Sequence, residues 1–349
     1  MNIDGRLIGP GHPPLIVAEV SANHGGSLER ALKLVEAVKD AGAEAIKFQT
    51  YTADTLTIDH DGPEFQINKG LWAGRTLYDL YQEAYTPWEW HETLFRKARS
   101  LGLMAFSTPF DGTAVEFLES LDVPAHKIAS FECVDLELVR SVAATRKPVV
   151  LSTGMANLGE IEEAVITARD AGCRDLILMH CISAYPAPTH EANLWTLPNL
   201  RETFDVVAGL SDHTLGTAVS VAAVALGAAM IEKHVTLARA DGGPDAAFSL
   251  EPRELRELVN ETRIAYDALG SINHTRTESE IANVVFRRSV FVVRDMEAGD
   301  RFTRDNVRVI RPGNGLPPKA IGEIVGARAT RSLRRGTPLD WSMVDRDGR

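Results

Sequence analysis

The stretch LIVAEVSANHGGSLERALKLVEAVKDAGAEAIKFQT, residues 15–50, reads as a strand, a helix and a second strand. LIVAEV (15–20) is short, apolar and rich in branched side chains, and EAIKFQT (44–50) repeats that character. Between them Leu28, Ala31, Leu34, Val35 and Val38 recur at helical spacing behind Ser27, whose hydroxyl can cap the first turn. Gly42 stands where such a helix would end. No G-x-G-x-x-G follows the first strand, so the mark of a dinucleotide-binding sheet is missing.

The alternation continues outward from this unit. Further apolar runs lie at 103–108 (LMAFST), 125–132 (AHKIASFE), 148–153 (PVVLST), 176–183 (LILMHCIS), 206–213 (VVAGLSDH) and 230–237 (MIEKHVTL). Helical patterns such as 87–101, 159–171 and 252–269 fall between and after them. Eight strand-like runs, each followed by a helix-like one, predict a (β/α)8 TIM barrel over 1–269, with a doubly wound open sheet as the competing α/β fold. The long insertion 51–86 is expected to form a lid or wall. Residues 270–286 lack a period and read as a linker. SVFVVRDMEAGDRFT (289–303) and RPGNGLPP (311–318) then suggest the short strands and turns of a small C-terminal domain, 287–349.

Composition excludes several function classes. The 349 residues carry 48 acidic side chains against 37 Lys plus Arg, a net charge of -11. Such a balance argues against nucleic acid and against an anionic membrane, both of which need a basic face. No apolar run approaches the ~20 residues that a membrane span requires. The start MNIDGR shows no secretory signal pattern, and Cys133, Cys173 and Cys181 form no CxxC pair. The expectation is a cytoplasmic protein with buried, reduced thiols.

Barrel enzymes carry their chemistry at the C-terminal ends of the strands. That rule selects Glu19 and Asn23, Lys47 and Gln49, Thr108, then Lys127, Ser130 and Glu132. It goes on to Ser152, Ser183 and Tyr185, then Ser211, Asp212 and His213, and last Glu232, Lys233 and His234. Charged side chains inside apolar strands are costly unless paired or functional. Their recurrence on nearly every strand predicts a polar pocket at the barrel mouth. His213 and His234 end neighbouring strands and are candidates for one divalent metal with open positions, although a lone buried histidine is more often structural. Asp212 and Glu232 are candidates to orient the two imidazoles. Lys47 and Lys127 call for an anionic ligand, with Ser130, Ser152 and Ser211 as further donors, or else for a Lys127–Glu132 bridge. Glu19 is a general acid or base, or the partner of Lys47. His24, His60, His91 and His126 read as solvated or structural, and the aromatic residues between Trp72 and Trp90 read as packing beneath the lid.

Several motifs together resemble the sialic acid synthase family: AEVSANHGG (18–26), IKFQTY (46–51), STPFD (107–111), KIASFE (127–132), LSTGMA (151–156), GLSDHT (209–214), EKHVTL (232–237) and RPGNG (311–315). The resemblance covers essentially the whole chain and implies a C-terminal domain of the SAF, antifreeze-like kind. It implies condensation of phosphoenolpyruvate with an open-chain N-acetylated amino sugar, release of phosphate by C–O cleavage, and a divalent metal, typically manganese, with magnesium or cobalt as alternatives. LYDLYQEAYTPWEWHETLF (77–95), KIASFE and ADGGPDAAFSLEP (240–252) are similar to the branch that makes pseudaminic acid. His180-Cys181-Ile182-Ser183 stands where N-acetylneuraminate synthases carry HCTN, which implies a different sugar, 2,4-diacetamido-2,4,6-trideoxy-altrose.

Carried over by resemblance, His213 and His234 hold the metal. Lys47, Thr108, Lys127, Ser130, Ser152 and Ser211 bind phosphoenolpyruvate, with Gln49 nearby. Glu19 handles protons next to the sugar, and Tyr185 lies beside it. The resemblance further implies a domain-swapped homodimer in which Arg311 caps the neighbour's site. N-acetylneuraminate or legionaminate synthesis is the alternative within the family. A metal-dependent pyruvate aldolase and a non-enzymatic sugar-binding protein are the rivals outside it.

Overall fold

The computed structural model describes residues 1–346; residues 347–349, the last three of the expected C-terminal domain, lie outside the described residues. The chain divides into two compact units, Met1–Gly270 and Ser271–Arg349.

The first unit is a closed barrel of eight parallel strands. They are β1 (Leu15–Glu19), β2 (Ala45–Thr50), β3 (Met104–Pro109), β4 (His126–Ile128), β5 (Val149–Ser152), β6 (Leu176–Cys181), β7 (Val207–Ser211) and β8 (Met230–His234). Closure comes from β8 pairing with β1, where Met230 stands beside Leu15 and His234 beside Glu19. The principal helices that follow the strands are α1 (Leu28–Ala41), α2 (Trp88–Ser100), α3 (Gly112–Ser120), α4 (Leu136–Ala144), α5 (Leu158–Asp170), α6 (Thr196–Phe204), α7 (Ala218–Ala225) and α8 (Pro252–Leu269). Helix α1 begins as its sequence predicts: the Ser27 hydroxyl accepts from the Arg30 amide, and Gly42 ends the helix in the left-handed conformation at φ 91°.

Successive side chains on a strand point to opposite faces, and this parity divides the barrel into layers. Ile16, Ala18, Ile46 and Phe48 face the helices and join a core with Leu34, Val35 and Leu94. Leu15, Val17, Ala45, Phe106, Val150, Ile177, Met179 and Met230 instead form an apolar cluster with Ile3 and Ile8 of the N-terminal segment, where Asn2–Ile3 pairs antiparallel with Arg6–Leu7. Further along the same strands the inward parity meets Glu19, Lys47, Thr108, Lys127, Ser152, Ser211 and Glu232. The lumen is therefore apolar at one end and charged at the other.

The insertion 51–86 contains the helix Leu77–Ala84 and two short helical turns. The four histidines set aside divide unevenly: His24, His91 and His126 are fully buried, while His60 is exposed. Burial pushes His24 and His91 down to about 4, so both are neutral packing groups.

In the second unit β9 (Ser289–Val292) pairs antiparallel with β10 (Val307–Ile310), and two shorter strands pair at Arg328–Ala329 and Val344–Asp345. Val290, Val292, Phe302, Ile324 and Leu339 form its core. The segment expected to be a linker holds two helical turns, Glu278–Ile281 and Ala282–Phe286. The second turn is tied into this unit, since the Gly313 amide donates to the Val285 carbonyl.

Candidate active site

A cavity of about 430 Å³ opens at the charged end of the barrel. Its wall brings together Lys47, Gln49, Thr108, Lys127, Ser130, Glu132, Ser152, Tyr185, Ser211, His213 and His234. Glu19 lies one step deeper, 2.7 Å from the Lys47 ammonium. Ser183 stands beside Cys181, 3.9 Å away. Arg311 is exposed in the second unit.

Strand register explains the convergence. Glu19 is level with Lys47 on one side and with His234 on the other. Gln49 is level with Thr108, Cys181 with Ser211, and Ser211 with Glu232. Eight short strands in register thus deliver one ring of side chains from positions scattered over more than two hundred residues.

The two lysines are held differently. Lys47 sits 2.7 Å from Glu19 and 3.6 Å from Glu232, and donates to Thr108 Oγ1 at 3.0 Å. Burial works to lower its pKa, but the two carboxylates outweigh this and hold it above the ordinary lysine value. Lys127 donates instead to Ser152 Oγ at 2.6 Å and to the Ile128 carbonyl at 2.9 Å, so the Lys127–Glu132 bridge is not formed. With no carboxylate hydrogen-bonded to it, burial pulls Lys127 below the ordinary lysine value. Ser130 is steered by Gly154, whose amide donates to its hydroxyl at 3.2 Å. A Cβ at Gly154 would collide with the hydroxyls of both Ser130 and Ser183 and force them to move.

Several carboxyls are tuned toward neutrality. Burial raises Glu19 to about 7 against the pull of Lys47, and burial raises Glu132 to about 7 as well. One Glu19 oxygen meets only the Lys47 ammonium, and the other, with one oxygen each of Glu132 and Glu232, is buried without a hydrogen-bond partner. Unpartnered polar atoms on this scale are rare in a folded interior unless something else binds them.

His213 and His234 lie with ring centroids 5.3 Å apart. His213 Nδ1 is 3.0 Å from the Ile182 carbonyl, a contact that makes Nδ1 the donor and leaves Nε2 as the nitrogen that can ligate once the ring is deprotonated. His234 Nδ1 is buried without a hydrogen bond, 3.7 Å from the Asp245 carboxylate, and burial holds this imidazole well below its usual pKa. Burial works to lower the His213 pKa as well, but its contacts with Cys181 and the Ile182 carbonyl outweigh this and raise it. Two imidazoles side by side, one of them held neutral, suit a divalent cation that would displace any proton from the other. Among the described residues no three His, Cys, Asp or Glu side chains are grouped to hold a metal. The pair is what the protein itself offers, and substrate and water would complete the coordination. Neither Asp212 nor Glu232 orients the imidazoles as expected. Asp212 has the outward parity, and Glu232 accepts from Ser211 and faces Lys47.

The strand-end rule passes over several wall residues. Asp245 is buried, and Ser21 Oγ donates to it at 2.5 Å. Trp72 of the insertion donates its indole N–H to the Pro244 carbonyl at 2.8 Å and lies 5.4 Å from the Tyr185 ring. Leu56, Ile67, Leu77, Leu80, Tyr81 and Phe131 complete an apolar outer wall. Cys181 also lines the cavity and sits 3.7 Å from His213, unlike Cys133 and Cys173, which burial raises to about 11.

Comparison with known proteins fits this geometry. The NeuB family model matches residues 34–274, and the SAF domain model matches 287–345. The chain belongs to the NeuB family. A pseudaminic acid synthase of Helicobacter pylori is 42% identical over 96% of this chain and 98% of its own length. A pseudaminic acid synthase of Campylobacter jejuni is 43% identical over 94% of this chain and 95% of its own. The solved N-acetylneuraminic acid synthetase of Leptospira borgpetersenii, in complex with citrate, has 32% identity and a TM-score of 0.73, covering 81% of this chain and 94% of that one. This NeuB family member is thus an α/β barrel followed by an SAF domain, as its strand count and motifs imply.

Proposed function

We propose that this chain is a pseudaminic acid synthase, which condenses phosphoenolpyruvate with 2,4-diacetamido-2,4,6-trideoxy-β-L-altrose and water to give pseudaminic acid and phosphate. The observation that carries the reading is the mixed lining of the cavity. One set of side chains is cationic and hydroxyl-rich, with Lys47, Lys127, Thr108, Ser130, Ser152 and Ser211. A second set adds the histidine pair and Asp245 to the apolar Trp72, Leu77, Leu80 and Phe131. The first suits the phosphate and carboxylate of phosphoenolpyruvate. The second suits a sugar whose acetyl methyls and deoxy carbon need apolar contact more than hydroxyl partners. The relatives in two bacteria named pseudaminic acid synthases support the same choice of sugar.

In this scheme C3 of phosphoenolpyruvate attacks the aldehyde carbon of the open-chain sugar. Positive charge develops at C2, water adds there, and the tetrahedral adduct expels phosphate by cleavage of its C–O bond. Lys47 and Lys127 hold the anionic groups in place, and they do so without reorganising because the strands fix them. Glu19, raised to about 7, is matched to accept a proton from the incoming water. A divalent metal, manganese first among candidates, would act on His213 and His234 as a Lewis acid toward the aldehyde. The proposal includes a homodimer with exchanged SAF domains, in which Arg311 reaches the sugar of the neighbouring site. The net basic character of the second unit suits docking against an acidic barrel. No helix among the described residues is long and apolar enough to cross a membrane.

Phosphate release from phosphoenolpyruvate, measured with each candidate sugar in oxygen-18 water, tests this directly. The diacetamido trideoxy sugar is expected to turn over best, with the phosphate free of label. Preference for N-acetylmannosamine would overturn the choice of sugar, and label in phosphate would overturn C–O cleavage.

A further inference from the structure

The outward-facing residues next to the two histidines form a cluster that the chemistry above leaves unused. Asp212 precedes His213, and Lys233 precedes His234. Because parity alternates, both point away from the cavity and toward helix α7. Lys233 Nζ lies 3.0 Å from Asp212 Oδ2, with both side chains only 1% exposed. The Asp212 carboxylate also accepts from the Thr214 amide at 2.8 Å, the Thr214 hydroxyl at 2.7 Å and the Ser220 hydroxyl at 2.6 Å. Lys233 donates a second bond, to the Thr214 carbonyl, at 2.6 Å.

We propose that Asp212 and Lys233 are positioning residues, a buried strut that sets the separation of His213 and His234 and thereby the affinity of the site for its metal. This rests on the reading that the histidine pair holds a divalent cation. The decisive feature is where the ammonium reaches. It grips residue 212 by its side chain and residue 214 by its carbonyl, so both neighbours of His213 are tied to the residue that precedes His234. The Asp212 amide adds a third tie, donating to the Glu232 carbonyl at 2.9 Å. Ser220 anchors the same carboxylate to α7, which stops the pair from sliding along the strands.

Energetics favour a geometric role over a merely stabilising one. Removing two opposite charges from water is expensive, and an apolar pair of similar size is often as stable or more so. Hydrogen bonds to an ammonium and a carboxylate supply what an apolar pair lacks, namely direction. Four bonds converging on one carboxylate leave it a single orientation. A site with only two protein ligands needs that rigidity, because a shift between two adjacent strand ends changes both metal bonds together.

The test measures manganese binding by the electron paramagnetic resonance signal of the free ion, alongside the melting temperature of the metal-free protein. Neither readout depends on the sugar. In the double variant Asp212→Leu/Lys233→Met, which replaces the strut by apolar groups, we expect a folded protein with a lowered melting temperature, since Thr214 and Ser220 lose their partner, and manganese affinity weakened about 10- to 100-fold, the range seen when the outer supports of metal ligands are removed. Asp212→Asn, which keeps the shape and part of the bonding, is expected to lose about 3- to 10-fold, short of the double variant. Wild-type affinity in the double variant would overturn the proposal. Should the double variant not fold, wild-type affinity in Asp212→Asn would do the same. Equal manganese binding by wild type and His213→Ala would instead remove the metal from the histidine pair, and the strut proposal would fall with that reading.

Discussion

The barrel lumen buries Glu19, Lys47, Lys127 and Glu232 within reach of one another, whereas the second unit buries a single polar side chain among its described residues, Ser289. Both units are folded by ordinary means, apolar side chains packed around paired strands. The difference shows that charge burial in this chain is not a requirement of folding. The barrel itself repeats the contrast along its axis, since the inward residues at its N-terminal end are Leu15, Val17, Ile177 and Met230. Charges appear only at the opposite end, where a substrate can neutralise them. An interior ammonium or carboxylate costs several kcal/mol to desolvate unless it is well paired, so the lumen trades stability for binding.

Lys127 offers the strongest test of that contrast. Its ammonium is fully buried and bonded to a hydroxyl and a carbonyl rather than to a carboxylate. Lys127→Met should lower kcat/KM for phosphoenolpyruvate by about 10²–10³-fold, the usual loss when a preorganised electrostatic contact is removed. Lys127→Arg should not restore it, because a planar fork cannot occupy the place of a compact ammonium. Melting of Lys127→Met should equal or exceed that of wild type, since a poorly paired buried charge is gone. A variant that keeps its activity and loses stability would place Lys127 with the structural residues and erase the contrast.

A smaller effect sharpens the picture at Glu132. Its folded-state pKa is raised by burial to about 7, from an ordinary value of 4.5. Between those two values the folded protein holds a proton that the unfolded chain has released. Stability conferred by this proton is present at low pH and is lost as pH rises through about 7. Glu132→Gln mimics the protonated form at every pH. Its melting temperature should match wild type near pH 5 and exceed it by a few degrees near pH 8, measured without substrate. A gap that stays constant across this range would show that Glu132 is not tuned by its surroundings.

How much of this was legible in the sequence depends on which residues periodicity can reach. Eight apolar runs predict eight strands, and the polar residue ending each run predicts the site, because parallel strands in a closed barrel all finish at one rim. That reasoning finds Glu19, Lys47, Lys127, His213 and His234 with no knowledge of contacts. It misses Asp245 and Trp72, which reach the cavity from irregular segments whose path only tertiary packing determines. It also misjudges Asp212. The residue lies beside His213 in the sequence, but strand parity turns its side chain to the other face. The two rings end up 5.3 Å apart, while their immediate neighbours meet on the far side of the strands.

The smallest expected effect lies in the second unit, at Ser289. Its hydroxyl donates to the Pro312 carbonyl at 2.7 Å and accepts from the Gly315 amide at 2.8 Å, so both its bonds go to the loop that carries Arg311. The loop has little other freedom. A Cβ at Gly315 would collide with the Val290 carbonyl, and one at Gly313 would stand 3.0 Å from the Val284 carbonyl. Ser289→Ala leaves the apolar core of this unit untouched and strands one acceptor and one donor. Orphaned groups of this kind cost about 1–3 kcal/mol each when they stay buried, and less here because the loop can open to water. Hydrogen exchange should therefore quicken at Gly315 and Leu316, while the amides of barrel strands such as β2 and β8 keep their protection. Slower or unchanged exchange at Gly315 would mean that the loop is held by its glycines alone. If exchange quickens there as expected, the polar side chain of Ser289 serves the loop rather than the core, which is the rule of the barrel lumen repeated on a smaller scale.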